Sequence, residues 1–104
     1  MSMTKEKLRS AYLTCERVVA DAAGKEGVTM AIRDAEADTR PRRLSHLLWM
    51  AREGLHLIEA ERREKAMRWL GFLQGTLWAW DILTVEQLKD MNRPDDSERD
   101  PDRV

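Results

Sequence analysis

RREKAMRWLGFLQGTLWAW, Arg62 to Trp80, decides the fold. It carries three of the chain's four tryptophans and its one phenylalanine. At 100° per residue, Ala66, Trp69, Leu70, Leu73, Leu77 and Trp80 share one face of a helix. Met67, Gly71, Gln74, Gly75, Trp78 and Ile82 fall roughly opposite. A surface helix of a small domain has one apolar stripe and one charged face. This helix has apolar or small residues on both sides, so both sides call for cover. The rest of the chain can wrap one. The other then wants a second copy or a different partner.

Working outward, RPRRLSHLLWMAREGLHLIE precedes this stretch. Pro41 reads as the first turn of a second helix. Leu44, Leu47, Leu48, Ala51, Leu55 and Ile58 form its core stripe. The other side carries Trp49, Met50 and Leu57 among His46, Glu53 and His56, which makes it a second candidate contact. No glycine or proline separates the two helices near Glu59 to Arg62, so one long kinked helix is an alternative. Ahead of these lies a first helix, about Thr4 to Ala23, with Thr4 as N-cap. Its stripe is Leu8, Ala11, Tyr12, Cys15, Val18, Val19 and Ala22, and Gly24 and Gly27 end it. Residues 28–39 read as a short helix or an ordered loop, with RDAEADTRPRR, from Arg33 on, polar and expected to be mobile. VTMAI alone would suit a strand, but there is no second strand to pair with it.

Downstream, Thr84-Val85-Glu86-Gln87 is a capping box, with Leu83 and Leu88 as the matching hydrophobic staple. It starts a short fourth helix that Pro94 stops. DDSERDPDRV is charged and reads as a disordered tail. The expectation is an all-α bundle of three main helices plus a short C-terminal one, a single domain over 1–93 with a tail over 94–104.

A chain of 104 residues has room for one modest core. Its 18 basic and 19 acidic residues leave a net charge of −1, with no global attraction to nucleic acid or anionic lipid. The single cysteine cannot form an internal disulfide and fits a reducing cytoplasm. Cys15 lies in the apolar stripe and reads as a small buried hydrophobe. No N-terminal run resembles a signal peptide, and Gln74 and Asp81 interrupt the longest apolar stretch. The expected setting is the cytoplasm, without a membrane.

Gly71, Gly75 and Ala79 recur every fourth residue, a spacing that lets two helix backbones approach closely. The contact is either internal or between chains. Trp78 and Ile82 beside the glycines favour a self-association face, with Gln74 placed to hydrogen-bond across a twofold axis. Each glycine inside a helix costs about 1 kcal/mol against alanine, which a close contact would offset.

Other constellations are weaker. Glu53 and His56 have the E-x-x-H spacing of di-iron bundles, but such a site needs two such pairs and further glutamates. Arg40, Arg42, Arg43, Arg62, Arg63, Lys65 and Arg68 are opposed by nearby acids and read as solvated faces rather than a nucleic-acid surface. There is no phosphate loop and no supported catalytic triad. No catalytic, metal or cofactor residue is assigned, and the expected protein is not an enzyme.

Two resemblances add to this. Glu61 and Glu64, with Asp81 beyond them, are similar to the acidic set of all-α nucleoside triphosphate pyrophosphatases of the MazG kind. That likeness implies magnesium-dependent nucleotide hydrolysis as the alternative function. Trp78, however, stands where that pattern has a glutamate. The stretch from His46 to Pro94, above all RWLGFLQGTLW at Arg68 to Trp78, resembles short phage and prophage proteins of no established activity. That resemblance implies a small accessory protein in a bacterial host cytoplasm, acting by binding a host or phage protein, and expected here as a homodimer.

Overall fold

The first helix, α1, spans Lys5–Lys25. Thr4 caps it, its hydroxyl accepting the Lys7 amide at 3.1 Å. α2 spans Arg40–Glu59, α3 Arg63–Ala79 and α4 Val85–Asn92. The computed structural model describes residues 3–93, and the tail expected over 94–104 lies outside them. The fold is the expected one, three main helices plus a short fourth, with no strand among the described residues.

Cross-links between helices fix their directions. Lys5 pairs with Glu61, Arg9 with Glu59, Glu16 with Arg52 and Glu26 with Arg40. Partners rise along α1 as they fall along α2, so the two helices are antiparallel. Arg40 lies over Trp80 and Trp49 beside Trp69, so α3 reverses direction again. α2 packs against both neighbours.

That middle position widens its buried arc. Leu44, Leu47, Leu48, Ala51 and Ile58 are buried as the stripe predicts, but so are Met50, Gly54 and Leu57. The outward placement expected for Met50 and Leu57 is therefore corrected. They are 8% and 6% exposed because α2 has core on two sides. α1 contributes Leu8, Ala11, Tyr12, Cys15 and Val19, and α3 contributes Ala66, Leu70, Leu73 and Leu77.

α1, α2 and α3 end in the same way. The backbone turns left-handed one residue past the cap, and two amides fold back onto the last turn, the Schellman arrangement. In α1 the left-handed residue is Gly27 (φ 77°), with Val28 N–H on the Ala23 carbonyl at 2.8 Å. In α2 it is Glu61 (φ 60°), with Arg62 N–H on Leu57. In α3 it is Asp81 (φ 61°), with Ile82 N–H on Leu77. The break between α2 and α3 is thus a closed helix end rather than a kink, made without glycine.

Residues 28–39 take the loop alternative. The loop is ordered by side chains at the start of α2. Ser45 Oγ donates to the Met30 carbonyl at 2.6 Å, and the Ile32 amide returns to Ser45. Arg42 forks onto Asp34 at 2.7 and 2.9 Å and reaches Asp38. The Asp34 amide donates to His46 Nδ1 at 2.9 Å. Thr39, not singled out in the sequence, caps α2.

Candidate functional site

α3 turns Ala66, Leu70, Leu73 and Leu77 into the core, and its opposite face is open. Gly71 and Gly75 lie on that face. A Cβ built on either would meet nothing within 4 Å. The close helix contact suggested by their spacing is therefore absent among the described residues, and no described helix takes the internal alternative. Ala79 is exposed beside them. Trp78, at 54%, and Phe72, at 55%, are among the most exposed large apolar side chains. Helical periodicity alone does not put Phe72 on this face. Its position 100° from Gly71 puts it at the margin of the arc, where only the structure shows which side the core takes.

The remaining predicted contact residues divide. Met67 is half-buried at the edge of the face, packed against the core. Ile82, expected on the same helix face, is not on it: α3 ends at Ala79, and beyond left-handed Asp81 the Ile82 amide turns back to the Leu77 carbonyl and its side chain packs against the core on the α1 side. Gln74 is buried, and its amide is engaged by α4. Its Nε2 donates to Asn92 Oδ1 at 2.8 Å, and Asn92 Nδ2 donates back to Gln74 Oε1 at 3.0 Å. The role expected for Gln74 across a twofold axis is thus taken internally. α4 itself forms as expected: Thr84 accepts the Gln87 amide at 3.1 Å and Gln87 Oε1 accepts the Thr84 amide at 2.8 Å. Of the second candidate contact, only Trp49 reaches the surface. It stacks on His46 at 5.6 Å, lies 5.7 Å from the Trp69 ring, and carries the Arg33 guanidinium on its face.

Beside the open face runs a groove of about 360 Å³ between the 28–39 loop, α2 and α3. Phe72, Thr76 and Trp80 line its α3 side, and Asp34, Ala35 and Ala37 its loop side.

The acidic set of the pyrophosphatase resemblance does not assemble. Glu61 is the left-handed residue after α2, bonded to Lys5 at 2.9 Å, while Glu64 lies within α3. The pair does not share a helix face. Among the described residues no group of three His, Cys, Asp or Glu side chains could hold a metal ion. The arginines at the start of α2 are engaged with Glu26, Asp34, Asp38 and the Ala37 carbonyl. Cys15 is fully buried, and burial pushes its thiol up to about 12, far from a nucleophile's range.

No family model, no curated protein and no solved structure matches the chain. No helix among the described residues is long and apolar enough to cross a membrane.

Proposed function

We propose that this protein acts without catalysis, by binding other proteins, and that it self-associates through the outer face of α3. The observation that carries the reading is the uncovered strip of Gly71, Gly75 and Ala79 flanked by Phe72 and Trp78. Glycines inside a helix are unfavourable unless something uses the room they leave, and nothing among the described residues does so. Aromatic side chains carry a disproportionate share of interface energy. The likeness of Arg68 to Trp78 to short phage and prophage proteins supports an accessory role, with a host or phage protein as further partner. The interface is narrower than the sequence suggests. It comprises Gly71, Phe72, Gly75, Trp78 and Ala79, with Met67 at its edge and without Ile82, which lies beyond the end of α3.

Light scattering across a dilution series tests the reading. A dimer is expected. Gly75→Leu should convert it to monomer with unchanged helical circular dichroism, and Trp78→Ala should weaken it at least about tenfold, the effect of losing a modest hot spot. A wild-type chain that stays monomeric throughout, or a Gly75→Leu dimer of unchanged affinity, would remove the face as a self-association site.

A further inference from the structure

The 28–39 loop is tied to α2 by a bond that depends on protonation. His46 Nδ1 accepts the Asp34 amide at 2.9 Å, so this nitrogen must be unprotonated and the ring's proton must sit on Nε2. We infer that His46 is a proton-operated latch: a proton taken up at Nδ1 breaks the hydrogen bond from the Asp34 amide and loosens the backbone there, leaving the middle of the loop held to α2 through the Arg42 and Arg43 side chains alone.

Three features make the latch local. The other ties of the loop, from Ser45 and Arg42, involve no group that titrates near neutrality. Arg42 beside it holds the Asp34 carboxyl below its ordinary range, so it stays ionised throughout. His46 lines the groove together with Asp34, Ala35 and Ala37 of the loop, so loosening the loop alters the groove beside Phe72.

The charged groups around the ring come from two elements. The loop contributes the Asp34 carboxylate, which favours an imidazolium, and Arg33, which opposes it. α2 contributes Arg42, already paired to Asp34, and Arg43, bonded to the Ala37 carbonyl. The α3 side of the groove offers Phe72, Thr76 and Trp80, all uncharged. Burial outweighs the carboxylate and holds the imidazole below its ordinary value. For a group whose folded value is depressed, the stabilising contribution is present above the unfolded value, near 6.5, and is lost as pH falls through the folded one. The latch is therefore closed at neutral pH and opens only below the ordinary imidazole range.

The test is backbone amide dynamics by NMR, the 15N heteronuclear NOE over residues 30–37, at pH 7.5 and pH 5. In the wild type these values should fall sharply once the His46 ring proton has titrated, while α1 and α3 stay unchanged. His46→Asn places a non-titrating acceptor near the Nδ1 position and should keep the loop ordered at both values. His46→Phe removes the acceptor and should leave it loose at both. A loop equally ordered after His46 has titrated, a His46 that does not titrate above pH 4.5, or an acid-loosened loop in His46→Asn would each overturn the latch.

Discussion

At the scale of single residues, the glycine that matters to the fold is Gly54. A Cβ there would lie 1.9 Å from the Tyr12 ring. Tyr12 is fully buried between α1 and its neighbours, and its hydroxyl donates to the Ala66 carbonyl of α3. One ring thus ties together the three main helices, and Gly54 is the space it occupies. Gly54→Ala should destabilise the fold by about 3 kcal/mol through overpacking, measured by urea unfolding. Tyr12→Phe keeps the ring and loses only the bond, so its cost should be near 1 kcal/mol. Equal losses for the two would mean that the hydroxyl, not the close approach, matters most.

Gly54 was not legible in the sequence, whereas Gly71 and Gly75 were conspicuous. Among the described residues nothing fills the space at the conspicuous pair, while the overlooked one is filled. Spacing within a helix reports where a backbone could be approached. Which approach occurs depends on an aromatic ring from another helix, forty-two positions away in the case of Tyr12 and Gly54.

At the scale of elements, the helix ends were half legible. Thr4, Pro41 and the Thr84–Gln87 box are local signals, and the chain obeys all three. The break after α2 carried no such signal because Glu61 does glycine's work. A left-handed conformation costs a residue with a Cβ roughly 1 kcal/mol, and aspartate tolerates it better than most. Glu61→Gly and Asp81→Gly should both raise the thermal midpoint, the former more. The exposed Lys5–Glu61 pair, lost in the first, contributes little against this. A lower midpoint for Glu61→Gly would show that the turn is held by that pair rather than tolerated despite its strain.

The fourth helix depends on a polar contact. Asn92→Ala leaves the Gln74 amide buried without its partner, a loss of about 1–2 kcal/mol. It should appear as faster hydrogen exchange in α4 than in α1. Gln74 was read from its angle on α3 as outward-facing. α4, which the periodicity of α3 does not contain, covers it.

At the scale of the whole molecule, fold class and helix order could be read because three apolar stripes at helical spacing admit little else. The width of the buried arc on α2 could not, since it follows from a helix having neighbours on two sides, and that misplaced Met50 and Leu57. The open face of α3 was legible as a face with no local claim on it. The groove and the His46 bond were not, because they are made by a loop whose order comes from side chains of the next helix.

The burial of Cys15 also makes the molecule its own stopwatch. It is the chain's one sulfhydryl, and no water reaches it while α1 is docked. A thiol-modifying reagent added under native conditions can react only during an excursion that undocks that helix. The labelling rate at saturating reagent therefore counts how often the core opens. Gly54→Ala should quicken that count severalfold, and a binding partner seated on α3 should slow it.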